Sequence, residues 1–226
     1  MLLLLYGKDG MTILNTAPLT PKAFSQAIKH LCDSDPDLAQ ILTILEPPPF
    51  RTRKPGFASL MHIILEQQVS LSSAKASFDR LRRAASPLTP ERFLKLGDAR
   101  LKACGFSRQK TAYGRTLAKI IVDGHLKLSA LETMDDQSVR SELLKIKGIG
   151  PWTANIYLLT VLRRPDIWPS EDLALAVAAH KLKRLKTRPT PKELESLSVG
   201  WKPWRAVAAR LLWHYYIETV LRKNNN

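Results

Sequence analysis

Residues 143–155 read Leu-Leu-Lys-Ile-Lys-Gly-Ile-Gly-Pro-Trp-Thr-Ala-Asn, and their types and spacing suit the capture of an anion. Gly148 and Gly150 permit the positive φ angles and close backbone approach that a Cβ resists, so the pattern predicts two helices joined by a tight hairpin. Pro151 suits the first turn of the second helix, where a missing N–H costs nothing. The N–H groups left unpaired at that helix start, favoured by the helix dipole, can hold an anion. Lys145 and Lys147 stand beside them, which makes a nucleic-acid phosphate the expected guest. The expected contacts are Lys145, Lys147, Gly148, Ile149, Gly150 and Thr153.

A carboxylate follows at Asp172, in Trp-Pro-Ser-Glu-Asp-Leu-Ala-Leu. By residue type alone it would cap a helix running from Leu173 toward Lys181, a common role for Asp. Glu171 is the neighbouring competitor. Three further segments stand out: Phe57-Ala-Ser-Leu-Met-His-Ile-Ile-Leu-Glu-Gln-Gln-Val-Ser, Gly105-Phe-Ser-Arg-Gln-Lys-Thr-Ala-Tyr and Trp201-Lys-Pro-Trp-Arg-Ala. In order and spacing, the hairpin, the carboxylate and these segments resemble the helix-hairpin-helix DNA glycosylase superfamily. They are most similar to its 3-methyladenine DNA glycosylase II family, over roughly residues 57–217. Some members carry an N-terminal β domain, and with so few residues before Phe57 it is expected to be absent here.

The resemblance implies a chemistry for each position. Breaking an N-glycosidic bond develops oxocarbenium-like charge on the sugar. A carboxylate held close by in a partly desolvated cleft stabilises that charge and can position water, and the matched register gives this role to Asp172 rather than Glu171. Superfamily members that also nick the strand carry a lysine nucleophile just after the hairpin. Trp152 stands there instead, which implies a monofunctional glycosylase without a lyase step. Alkylated purines are cationic good leaving groups, and a cation over an indole gains cation–π stabilisation. The resemblance places Trp152 and Trp213 in the base pocket, with Ile156, Tyr157 and His62 as further lining candidates. Ile156 replaces an aromatic found in some relatives. His62 equally suits the core.

The target base must be everted and its gap filled, and the family wedge falls on Gln68, with Gln67 beside it, so both are expected to contact DNA. Hairpins of this kind can also hold a monovalent cation on the backbone carbonyls of Leu144, Ile146 and Ile149. No catalytic metal cluster is expected. Cys32 and Cys104 cannot supply the four ligands of the iron–sulfur cluster some relatives carry, so no cofactor is expected. The leading expectation is hydrolysis of 3-methyladenine- or 7-methylguanine-type bases from duplex DNA. Glycosylases for deaminated or oxidised bases and a non-catalytic DNA-binding module are the alternatives. A neutral lesion would need leaving-group protonation, and no acid for it stands in the matched motifs.

Composition points the same way. The chain has 226 residues, with 35 Lys+Arg against 20 Asp+Glu and a net charge of +15. Such an excess favours a polyanionic partner through counterion release, with a solvated basic surface as the plain alternative. No apolar run reaches the length of a membrane span. Residues 1–6 lack the flanks of a signal peptide, and Met11 could be the true start, leaving 1–10 as a disordered extension. A monomer bound to DNA is expected, in the cytoplasm with the nucleoid, or in the nucleus of a eukaryote.

The elements that must position these residues read as helices. Thr20-Pro21, Asp35-Pro36, Thr89-Pro90, Ser107, Thr190-Pro191 and Lys202-Pro203 mark helix starts, the last relying on Pro alone. Phe24, Ile28 and Leu31, and Leu117, Ile120 and Ile121, follow helical spacing, and no clean period-2 run stands out. An all-α fold is expected. Proline-rich residues 46–55 and 163–170 break the chain. The resemblance implies a single glycosylase domain over 11–226, with 51–164 as one helical subdomain and 11–50 plus 165–226 as the other, flanking a DNA cleft. Trp201 and Trp204 read as packing residues, with Arg205 a structural charge.

Overall fold

Five of the six expected helix starts form in the computed structural model, which describes residues 17–222. The possible extension at 1–10 and the alternative start at Met11 lie outside that range. Thr20 accepts from the Ala23 N–H, Asp35 from Asp37 and Leu38, Thr89 from Arg92, and Ser107 from Lys110. Thr190 and Glu193 complete a reciprocal capping box. Each such cap contributes about 1 kcal/mol. They open α1 (Pro21–Ser34), α2 (Pro36–Ile44), α5 (Pro90–Leu94), α7 (Arg108–Val122) and α11 (Pro191–Leu197). The sixth start is displaced: Lys202-Pro203 forms a turn, and α12 (Arg205–Tyr215) begins two residues later. Arg205 fixes that corner through Asp166, donating from Nε at 2.8 Å and Nη2 at 2.9 Å.

The remaining helices are α3 (Phe57–Glu66), α4 (Leu71–Ala84), α6 (Asp98–Ala103), α8 (Asp136–Leu144), α9 (Pro151–Thr160) and α10 (Leu173–Leu182). Short 3₁₀ turns at Ala130–Glu132 and Ser198–Trp201 and a π-helical turn at Tyr216–Leu221 complete the fold. The described residues contain no strand. Apolar spacing decides which faces turn inward. Phe24, Ile28, Leu31 and Leu117 are buried, and Ile120 and Ile121 pack partly buried against the core.

The main helix–helix contacts fall into two groups. Helices α3 to α9 pack among themselves, and α1, α2, α10, α11 and α12 pack among themselves. The two non-helical stretches expected from proline join them, and buried cations tie them together. Arg210 of α12 is nearly buried and donates to the carbonyls of Arg51 at 2.6 Å and Leu159 at 3.0 Å. Its guanidinium lies 5.6 Å from the Phe50 ring. Burial pushes its pKa down to about 10, so it remains charged at neutral pH. Arg164, only 1% exposed, reaches back to the carbonyls of Glu132 and Met134 and pairs with Asp136 at 3.2 Å.

Candidate active site

Ile146 and Ile149, both nearly buried, pin the hairpin between α8 and α9. The Ile149 N–H donates to the Ile146 carbonyl at 3.0 Å and closes the turn, giving one of the three proposed cation-binding carbonyls an internal partner. Gly148 is required here. Its φ is +96°, and a Cβ would lie 2.2 Å from Cγ of Tyr113. Gly150 is different from expectation: its backbone is extended (φ −97°, ψ −179°), and nothing lies within 4 Å of a Cβ placed there. Its contribution is to leave the start of α9 open, with Pro151 in the first turn and no side chain capping the N–H groups. Lys147 is exposed and forms no ion pair among the described residues, whereas Lys145 pairs with Glu142 at 2.6 Å.

Several expected DNA contacts face inward. Thr153 is 2% exposed, and the Ile149 side chain is buried, so neither side chain can meet a phosphate. Gln67, at the end of α3, donates its amide to the Gly148 carbonyl at 2.8 Å and to the Thr153 hydroxyl at 2.9 Å. It braces the hairpin from within. Gln68 is exposed, with φ +55°, and Val69 and Leu71 next to it are exposed apolar residues that the sequence reading passed over. Ser70 then caps α4 by accepting from Ser73.

Asp172 is nearly buried at the start of α10. Its Oδ1 accepts from the Leu175 N–H at 3.0 Å and from Nε1 of Trp213 at 3.1 Å; its Oδ2 accepts from Nε1 of Trp152 at 2.8 Å. One carboxylate therefore both caps α10 and is held by two indole N–H groups. The donors come from α9, α10 and α12, so the carboxylate sits where the two helix groups meet. Glu171, one residue earlier, points into solvent. Both tryptophans are half-buried, and their N–H edges hold the carboxylate. That role was not legible in the residue types.

Two pocket candidates are corrected. Tyr157 is fully buried, because residues 153–159 of α9 are all enclosed; burial also pushes its phenol pKa up. It cannot touch a base. Ile156, one turn beyond Trp152, is 4% exposed and belongs to the core beneath it. His62 is half-buried and stacks on Phe78 of α4 with centroids 4.1 Å apart. Burial holds its pKa below the ordinary histidine range despite Glu66 at 3.6 Å, and none of these contacts reaches Asp172. Asn155 was missed altogether. It accepts from Arg140 Nε at 2.8 Å and donates to the Trp168 carbonyl at 3.4 Å, linking α8, α9 and the loop before Asp172. Trp201 is core, donating to Asp35 at 2.8 Å, while Trp204 packs half-buried against it.

Cys32 and Cys104 are both free, and the described residues hold no group of three His, Cys, Asp or Glu side chains placed to bind a metal ion. None of the described helices is long and apolar enough to cross a membrane. A carboxylate fixed by three N–H donors beside an uncapped helix start can stabilise a cation next to a bound phosphate.

The chain is similar to known proteins in sequence and in fold. The family model described as HhH-GPD superfamily base excision DNA repair protein matches residues 61–203. The chain is similar to a fission yeast (Schizosaccharomyces pombe) protein named DNA-3-methyladenine glycosylase 1, with 28% identity over 71% of this chain and 72% of that protein. The structure of a 3-methyladenine DNA glycosylase from the same yeast, in complex with abasic DNA, superposes with a TM-score of 0.79. The two are 26% identical, over 86% of this chain and 98% of that one. A Bacillus subtilis protein named DNA-3-methyladenine glycosylase is 33% identical over 54% of this chain and 41% of its own length. A second relative from that organism is matched over 56% of its length, so the chain spans about half of these two curated relatives.

Proposed function

Since the chain belongs to the HhH-GPD superfamily of base excision DNA repair proteins, we propose that it is a monofunctional DNA glycosylase acting on alkylated purines in duplex DNA. The observation that carries this reading is the Asp172 carboxylate, oriented by Trp152, Trp213 and the Leu175 N–H. In the reaction, the bond between C1′ and the purine nitrogen breaks and its electron pair leaves with the base. Asp172 stabilises the cationic sugar, water adds to C1′, and the water's proton is lost, leaving an abasic site. Trp152 stands where a strand-nicking enzyme would need an amine, so no Schiff base forms.

The names of the relatives support 3-methyladenine as a substrate, and 7-methylguanine, a purine made cationic in the same way, belongs to the proposed class. In this reading DNA runs along the seam between 51–164 and the remainder, its phosphates on the open start of α9 and Lys147. Gln68 fills the gap in the stack, with Val69 beside it. The enzyme works as a monomer, without metal or iron–sulfur cluster, wherever the cell keeps its DNA. The test is release of bases from methylated duplex DNA. Free 3-methyladenine or 7-methylguanine, with the strand intact until alkali is added, is the expected result. Binding to damaged DNA without release of any base would remove the alkyl-purine reading.

A further inference from the structure

We propose that Gln67 is a positioning residue that couples the phosphate-binding hairpin to the exposed turn at residues 67–70, so that seating the backbone fixes the height at which Gln68 enters the base stack. The inference rests on the glycosylase reading above. The amide of Gln67 is committed: it donates to the Gly148 carbonyl at 2.8 Å, in the hairpin turn, and to the Thr153 hydroxyl at 2.9 Å, in the first turn of α9. It therefore grips both sides of the open helix start without facing the DNA itself. The next residue, Gln68, has φ +55° and projects into solvent.

Helix α7 braces the same unit from behind. Lys110 donates from Nζ to the Leu65 carbonyl at 2.7 Å, holding the last turn of α3 just before Gln67. Tyr113, three residues on, lies against Gly148 on the side where a Cβ would be. The turn and the hairpin are thus held by neighbouring residues of one helix and joined directly by Gln67. A base is extruded only if the inserting residue stands at a set distance from the gripped phosphates. A turn free to drift would grip the DNA as well but insert less often.

The test is single-turnover release from two duplexes carrying the same alkylated purine, one fully paired and one with the lesion in a single-nucleotide bulge. Gln67→Leu should slow release from the paired duplex about tenfold, the worth of the two lost hydrogen bonds. Its affinity for undamaged duplex should stay within about twofold, because the phosphate contacts remain. On the bulged duplex the defect should shrink to about threefold or less, since extrusion there is cheap. Thr153→Val, which removes one acceptor, should show the same pattern more weakly, and it gives the reading if Gln67→Leu does not fold. Equal defects on both duplexes, duplex affinity lost in step with the rate, or no defect at all would each overturn the coupling. A wild-type protein that releases no alkylated base from either duplex would overturn the glycosylase reading, and the coupling with it.

Discussion

Helices α9 and α10 begin within one site, yet they finish their first turns in opposite ways. The start of α9 has Gly150 and Pro151 and no side-chain cap, so its N–H groups await a partner from outside. The start of α10 has Asp172, which accepts from the Leu175 N–H and brings its own negative charge. Two helix dipoles of the same sign are therefore dressed differently. One attracts a phosphate; the other repels a phosphate and favours a cation. A glycosylase needs this division, because it must grip an anionic backbone while cleaving through a cationic sugar. The indole of Trp152, in the first turn of α9, donates to Asp172 and fixes the two starts in register.

The sharpest way to break the contrast is Asp172→Asn, which removes the charge from the second start and leaves the first alone. Base release should fall about 10²–10³-fold, on the scale of losing a main electrostatic stabiliser. Duplex affinity should be retained, as measured by titration alongside single-turnover rates. The first start is broken by Gly148→Ala, whose Cβ meets Tyr113 at a left-handed φ. Urea unfolding should show a loss of about 2–4 kcal/mol. Gly150→Ala, placed in open space, should stay within about 0.5 kcal/mol.

Cutting the link between the starts is a smaller perturbation. Trp152→Phe removes one N–H donor to the carboxylate and should slow release about tenfold, with Trp213→Phe costing less for its longer bond. The smallest effect belongs to Lys147→Ala. The slope of log affinity against log salt should fall by about 0.9, the signature of one lost phosphate contact. Lys145→Ala should change it less, because that ammonium already faces Glu142.

Much of this was legible in the chain because it is local. Caps at Thr20, Asp35, Thr89, Ser107 and Thr190 need only their own first turns, and Gly148 and Pro151 need only the hairpin. Asp172 was legible as a cap because capping needs only its own helix start, whereas its proposed catalytic role came from the resemblance. What escaped was set by partners distant in sequence. Gln67 looked like a DNA contact, because nothing near it announces Gly148 and Thr153 as its acceptors. Tyr157 looked available because an aromatic next to Ile156 says nothing about the burial of that stretch of α9 by other elements. The indole N–H groups of Trp152 and Trp213 were read as π surfaces, since their acceptor lies on another element. Gly150 was credited with a backbone angle it does not adopt, because residue type alone cannot separate conformational need from steric need.

The Arg210 strut carries a mechanical implication. Its guanidinium is anchored on carbonyls of Arg51 and Leu159 while its own helix belongs to the other half of the molecule. Opening the seam would break both of these charge-assisted hydrogen bonds and the packing around the guanidinium, which favours a fixed gauge over a closing hand. A gauge does not mould itself to its workpiece. In the glycosylase reading proposed above, the shape change then falls to the duplex, and sites that bend or unstack easily fit first. Mechanical softness of the DNA then becomes a filter applied before any base is inspected.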